Sequence, residues 1–453
     1  MQVLTTWMNK WIAALAIGLF GTLASAQTTI DVSLDDARII ATRALLAGEE
    51  DLAIQIARGL LQANPDDRAA LIIVAAVAPR QGDAAEGRKA GARAWQLSQT
   101  DIEKYEAARL TALAAATGKR YTLAEFWLRR ALTVAPSEAE EQRTAQDAAG
   151  VRRLNPWSTT FSFSVVPSNN INGGADDETL TAPGLPDGTL SPDALALAGV
   201  RATAQLSTRY RLAETRKSRA TVALNLQASR VRLDDSDISD LEFATDAADI
   251  TLGYDRALDQ GSLNARLTFG TFDFGREDYY DFNRISLGRT VPVGQNTSLQ
   301  FYTSREVQTY ESTNIGTVDR LLLRTSVSRR LAGGDVVSGA LSYTVSDGDS
   351  VNYTYDDWGL QGSYAWAEPF GPVSLSVSAG VKWSDYPDYQ LIFPVDGGRE
   401  DLTFSYGLNI GLPDVSYAGF SPGLSISGSI ADSNISRFTR NSVSVGLTLN
   451  STF

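Results

Sequence analysis

Histidine and cysteine, the side chains that most readily do chemistry near neutral pH, are both absent from this chain of 453 residues. Their absence removes disulfides, zinc sites of the usual Cys/His kind and histidine-based triads. Carboxylate chemistry is what remains: an all-carboxylate metal site or a carboxylate-pair hydrolase. Two clusters set serine beside aspartate, namely Asp234, Asp235 and Ser236, and Asp347 with Ser350. Acidic loop residues of this kind far more often contact ions or a lipopolysaccharide layer, and no lipase triad can be built without histidine. The glycines at "GGD" (Gly333) and "GDS" (Gly348) lack the phosphate-cradling pattern of a P-loop. No motif implies a cofactor. A net charge of −13 repels phosphate backbones, which argues against a nucleic-acid partner. The sequence therefore reads as a non-enzyme.

Three basic residues, Arg266, Arg324 and Lys382, stand among small polar ones, and the segments around them show why. "LNARLTFG" sets Leu263, Ala265, Leu267 and Phe269 against Asn264, Arg266, Thr268 and Gly270. "LLLRTSV" and "VSLSVSAGVKW" alternate in the same way around Arg324 and Lys382, and "TVALNLQAS" does so from Thr221 to Ser229. A period of two is a strand with one apolar and one polar face. Polar faces built from Ser, Gly, Thr and Asn with scattered Arg and Lys suit a wet barrel lumen. The three basic residues are then lumen candidates that would tune a pore or fill its interior.

Counting such segments from Trp157 gives about 14 strands. The connections after even strands are mostly tight ("AETRKS", "ALDQGS", "LAGGD"). Those after odd strands are mostly longer and often acidic or aromatic ("LDDSDISD", "GREDYYD", "SDYPDYQLIFPVDGGRE"). Short periplasmic turns and long outer loops mark an outer-membrane barrel. The chain closes on "SVSVGLTLNSTF", with Val443, Val445, Leu447, Leu449 and Phe453 on one face. A barrel must zip its last strand to its first, or unpaired backbone faces lipid. Such a strand resembles the signal by which the barrel-assembly machinery recognises its substrates, carried here by Val445, Leu447, Leu449 and Phe453.

Upstream the texture is helical. Gly48, Gly82 and Gly118 recur at close to the tetratricopeptide period of about 34 residues, and Ala53, Ala57, Leu61 and Pro65 are echoed by Ala124, Leu128, Ala131 and Pro136. The glycines would permit tight turns, and the prolines would end second helices. This resembles a short tetratricopeptide array, which offers a groove for a client protein. Earlier still, Lys10, an apolar run over residues 11–23 and Ala24-Ser25-Ala26 read as a secretory leader. The expected organisation is a signal peptide at 1–26, a periplasmic tetratricopeptide-like helical domain at 27–154 and an outer-membrane β-barrel at 155–453. In fold class it is α + β and multidomain.

Leader, short helical array and roughly fourteen-stranded barrel together resemble the surface lipoprotein assembly modulator (Slam) family. The most specific local element is "NPWSTTFSFSVVPSNNIN", residues 155–172. The family's first strand is likewise followed by a proline and an Asn-Ile-Asn turn, matched here by Pro167, Asn169, Asn170, Ile171 and Asn172 after Trp157. The resemblance implies a protein that helps move client proteins, often lipoproteins, to the cell surface. Competing expectations are a diffusion porin, tuned by Arg266, Arg324 and Lys382, and an exopolysaccharide export channel. The latter would show a ladder of lumen aromatics, and the alternating segments display none on their polar face.

Overall fold

In the computed structural model the chain is described over residues 32–234, 237–412, 415 and 420–451. The expected leader and Phe453 lie outside these residues, as do Asp235 and Ser236. Seven helices come first among the described residues: α1 (Leu34–Leu46), α2 (Glu50–Ala63), α3 (Arg68–Val77), α4 (Ala84–Leu97), α5 (Asp101–Thr117), α6 (Tyr121–Leu132) and α7 (Glu138–Leu154). Side chains start most of them. Asp67 accepts from the Ala70 N–H (3.1 Å), Asp83 from the Glu86 N–H (2.8 Å), and Thr100 with Glu103 forms a capping box on α5.

Gly48 and Gly82 turn the chain between paired helices with φ of 82° and 94°, the left-handed region that glycine enters without strain. The third turn departs from the expected repeat. Gly118 has φ −77°, and its neighbour Lys119 takes the left-handed place at φ 56°. The hydrogen bonds fix the equivalence: Arg120 N–H reaches Ala115 O as Glu49 N–H reaches Ala44 O. Between the helices the core is mostly alanine, with Ala41, Ala53, Ala57, Ala75, Ala94 and Ala107 fully buried around Ile54, Leu60 and Val74. Small side chains let helices approach closely. An arginine on each odd helix then reaches an acid at the start of the next odd helix. Arg38 bonds Asp67 (2.6 Å), Arg68 bonds Glu106 (3.0 Å) and Arg109 bonds Glu140 (3.2 Å). Partly exposed pairs contribute little energy singly, but these recur and fix how the stack is offset, and Asp67 in the first is buried.

Fourteen strands follow: β1 (Trp157–Ser168), β2 (Gly199–Glu214), β3 (Ser218–Leu233), β4 (Thr245–Ala257), β5 (Ser262–Phe274), β6 (Glu277–Val293), β7 (Thr297–Tyr310), β8 (Thr317–Arg330), β9 (Val336–Gly348), β10 (Tyr355–Ala365), β11 (Ser374–Tyr386), β12 (Arg399–Gly411), β13 (Phe420–Ser433) and β14 (Arg440–Ser451). Each pairs antiparallel with its neighbours, and β14 pairs with β1 to close the ring. The shortest has 11 residues, enough for a tilted strand to cross a bilayer's hydrocarbon core. No helix among the described residues is long and apolar enough to cross a membrane.

Register carries the alternation around the whole ring. Leu206 faces Leu226, and Leu224 faces Ile250, all on the outer surface. Leu360 and Leu447 are 63% and 64% exposed there, and Ile285, Leu287, Leu323, Leu341, Leu402 and Phe404 join them in one band. A band of this extent would be an aggregation surface in water and matches hydrocarbon instead. The inner face satisfies itself. Gln205 Nε2 donates to Gln227 (2.8 Å), Ser207 Oγ to Asn225 (2.6 Å) and Asn225 Nδ2 to Asp249 (2.7 Å), so one hydrogen-bonded row crosses three strands.

Two outcomes follow. Leu341→Arg puts a charge on the lipid face near mid-height and should destabilise the barrel by about 2–4 kcal/mol, whereas Ser376→Arg on the lumen face should be close to neutral. Urea titration of heat-modifiable gel migration measures both. In the helical stack, the N–H groups of Gln99 (2.8 Å) and Thr100 (3.3 Å) hold the Glu103 carboxyl below its ordinary range. A hydrogen bond from the Tyr105 hydroxyl (2.6 Å) does the same to Glu140. Both folded pKa values lie below the unfolded ones. Their stabilisation is present above the usual glutamate range and lost as pH falls through the folded values. Helical unfolding followed by circular dichroism should shift to lower temperature on acidification, and Glu103→Gln should flatten that dependence.

Candidate functional site: the strand seam and the outer mouth

Parity along β1 decides which backbone groups close the barrel. The Arg211 N–H on β2 donates to Pro156 O (2.8 Å), so even positions of β1 turn their polar groups toward β2. The Asn169 N–H donates to Val443 O (3.3 Å), so odd positions turn toward β14. Pro167 is odd, and proline has no N–H, so the donor missing at this step is one that would have faced Val445 on β14. The register records the gap. Ser162, Phe163, Ser164 and Val165 pair with Asn450, Leu449, Thr448 and Leu447, and the next described pair is Ser168 with Ser444. On its other side β1 pairs with β2 without a break through Val166 and Pro167. Gly446 stands opposite the gap, where a Cβ would come within 3.1 Å of a Val166 methyl.

Just above the gap a side chain does the work of backbone. Asn169 Oδ1 accepts from the Val443 N–H (2.7 Å), and its Nδ2 donates to Asn441 O (3.4 Å). The next residues hold the long loop, 169–198. Asn170 is buried and bonds Gly174 through both ends of its amide, each at 2.9 Å. Asn172 Nδ2 donates to Asp193 O (2.9 Å) and Leu195 O (2.7 Å), while its Oδ1 accepts from Gly174 and Leu197. Ile171 is buried, its N–H bonded to Leu197 O (2.7 Å). The loop then reaches across the mouth. Asp176 and Gly173 bond the start of β14 at Asn441 and Arg440, and Ser436 donates to the Thr179 carbonyl and accepts from the Thr181 N–H, in and just after the loop's small ribbon, Thr179–Leu180 with Gly188–Thr189. Leu180 and Leu185 pack on buried Tyr389, Val395 and Ile435 from two other outer loops. Burial pushes the Tyr389 phenol up, against the pull of Arg399.

At the opposite rim lies a junction that sequence reasoning missed. Asn155 is buried, and its Nδ2 donates to Glu125 (2.9 Å) and Thr122 (3.2 Å), while its Oδ1 accepts from the Trp157 N–H (3.1 Å). Arg211, on β2, donates from Nη2 to the carbonyls of Arg153 (3.0 Å), Leu154 (3.2 Å) and Asn155 (3.1 Å). A cation thus caps the C-terminus of α7 and ties the helices to the wall. Trp157, half exposed on the outer face against Tyr210 (4.7 Å), belongs to the aromatic girdle at this rim.

Arg266, Arg324 and Lys382 all face the lumen, the last two in one cross-strand row. Arg266 is held to the lower wall by Asp255 (2.5 Å) and the Tyr254 carbonyl (3.1 Å). Arg324, bonded to Gln361 (3.1 Å), and Lys382, 3.6 Å from Asp357, share a recess of about 240 Å³ with Ser342, Gly359, Gly380 and Ser405. The alternating segments display no ladder of lumen aromatics, but the lumen does carry rings near its outer rim. Phe272 stacks on Tyr280 (5.1 Å), and Tyr280 packs at a tilt against Tyr310 (5.0 Å), Tyr310 against Tyr353 (5.4 Å) and Tyr355 against Tyr386 (4.9 Å). These rings lie where strands meet outer loops, past the mid-strand windows in which the alternation is read. Val445, Leu447 and Leu449 stand on the lipid face of β14. Asp347 lies opposite Asp319, and no cluster of carboxylates that could hold a metal is found among the described residues.

The barrel that this seam closes is matched over residues 157–453, from the first residue of β1, by the sequence model described as surface lipoprotein assembly modifier. The chain belongs to that family. In it, the barrel resides in the outer membrane, and fold and family are those of an assembly barrel rather than an enzyme. The helices lie outside the matched residues. Among solved structures, a loop-deletion mutant of OmpT from Vibrio cholerae is 6% identical, covering 66% of this chain and 99% of that one with a TM-score of 0.36. The COG4313 outer membrane channel from Pseudomonas putida F1 is 13% identical, covering 65% and 95% at 0.34. The type III secretion translocator chaperone SycD of Yersinia enterocolitica is 14% identical, covering 27% and 88% at 0.24. No curated protein matches the chain.

For this family member the two rims make separate predictions. Asn172→Ala removes four hydrogen bonds, each worth about 0.5–1.5 kcal/mol net, and should open loop 169–198 to added protease while the barrel stays heat-modifiable. Arg211→Ala should leave the barrel intact and speed proteolytic release of the helical region between residues 150 and 157.

Proposed function

We propose that this protein assists the export or surface display of a client protein, a lipoprotein or a secreted binding protein. The observation that carries the reading is the junction at Asn155 and Arg211, which fixes a helical stack to the short-turn rim of a barrel from the surface lipoprotein assembly modifier family. That rim faces the periplasm, so the stack stands where a client arrives. The helical domain captures the client, and the barrel provides the passage. No nucleotide-binding loop is present in the sequence, so client folding outside or a partner supplies the energy. Lipopolysaccharide surrounds the outer rim, and the barrel-assembly machinery reads the last strand through Val445, Leu447, Leu449 and Phe453.

The lumen aromatics favour an exopolysaccharide channel as a second reading, but their rings pack against one another, with Tyr310 buried, and so do not line an open path. Deletion of the gene separates the readings. With palmitate-labelled cells probed by external protease, the expected result is loss of a specific lipoprotein from the surface while its total level persists. Unchanged surface lipoproteins together with reduced small-solute or polysaccharide passage contradict it.

A further inference from the structure

The seam between β1 and β14 differs from the other ladders. Their register shifts, at Arg211/Ala213 and Phe272/Asp273, lie at the rims. The seam alone skips two positions without a change of register, at Val166 and Pro167 near the outer end of β1, and is held above the skip by the Asn169 amide. Its two faces also contrast. Phe163, Val165, Val445, Leu447 and Leu449 look outward, and Ser162, Ser164, Ser444, Thr448 and Asn450 look inward. A recess of about 250 Å³ bounded by Thr160, Phe161, Ser162, Gln205, Ser207 and Asn450 lies beside it.

We infer that the β1–β14 seam opens below the Asn169 latch, and that its occupant when open is an extended, acylated segment of the client. This deepens the export reading and rests on it. Separated edges would leave N–H and C=O groups facing hydrocarbon, which is tolerated only if an incoming strand pairs with them. An opened seam joins a hydroxyl-lined lumen to the lipid. A polar chain carrying an acyl anchor is the cargo that needs both at once. Pro167 lowers the number of bonds to be broken, and Asn169 keeps the ring shut at the outer rim.

The chain contains no cysteine, so the seam can be locked cleanly. Ser164 faces Thr448 on the lumen side in a pair whose backbone groups turn away from each other. Such pairs bring Cα atoms to about 4.5 Å, within disulfide reach. Full-length protein with Ser164→Cys and Thr448→Cys is compared with a control, Ser429→Cys and Ser442→Cys, which joins β13 to β14 where the hydroxyls lie 2.9 Å apart. The probe is palmitate-labelled lipoprotein accessible to protease on intact cells. Oxidation of the seam pair should reduce it to the level of the deletion strain, reductant should restore it, and the control should display as wild type. Pro167→Val supplies the missing donor and should slow the appearance of label at the surface. Unchanged display from the locked seam, in cells where deletion abolishes it, overturns the seam route and leaves the export reading standing. Unchanged display on deletion overturns both.

Discussion

Hydrocarbon offers no hydrogen-bond partner to an N–H or C=O, so a sheet crossing it can have no free edge. Most of this architecture follows from that constraint. Antiparallel hairpins with tight turns on one rim satisfy all strands but the first and last, and the chain must return to its own beginning to satisfy those. The meeting of β1 and β14 is therefore the longest-range contact in the barrel and the place where a defect costs most. A proline sits there nonetheless, and the neighbouring Asn169 side chain supplies a donor and an acceptor in line with the ladder. Loop 169–198 then bonds the first residues of β14, so ring closure is reinforced from outside the membrane as well as within it.

The same constraint sorts the composition. Large aliphatic and aromatic side chains are spent on the lipid face, and the lumen is left with Ser, Gly, Thr and Asn that bond one another. The lumen is not uniform. Charges gather on β4 to β12, as in Arg266 with Asp255, Arg284 with Glu306 and Arg399 with Asp401, while the inner faces of β13, β14 and β1 carry mostly small uncharged groups. The helical stack uses a different economy. Alanine interfaces bring helices close, and the arginine ladder from Arg38 through Arg68 to Arg109 repeats one contact at each step.

Much of this was legible beforehand for a simple reason. Strand alternation is a local property, and β3, β5, β11 and β14 each carry it without interruption. Loop lengths, alternating short and long, fixed the parity and with it the orientation of the helices. What could not be read were features set by single residues or by register. Lys119 occupies the left-handed turn because the hydrogen-bonding frame there is offset by one residue from Gly118, which no propensity signals. Arg211 looks like an ordinary strand residue until the end of α7 is placed beside it. The aromatic cluster forms from side chains at strand ends that the loop-rich segments hid. The pairing of Arg324 and Lys382 around one recess depends on how β8 to β11 are staggered. Asn169 stood out through a family resemblance, but only parity along β1 shows that it stands in for a ladder bond.

The central claim is that neighbouring residues past position 156 face lipid and water in turn around a closed ring. Single cysteines placed one at a time from Val337 to Ser346 along β9, in a chain that has none of its own, test it directly. Labelling with a water-soluble maleimide in lipid vesicles should be fast at 338, 340, 342 and 344 and slow at 337, 341, 343 and 345. Fluorophores at the second set should be quenched by brominated lipid. Uniform labelling along the strand, or the opposite phase, would contradict the account.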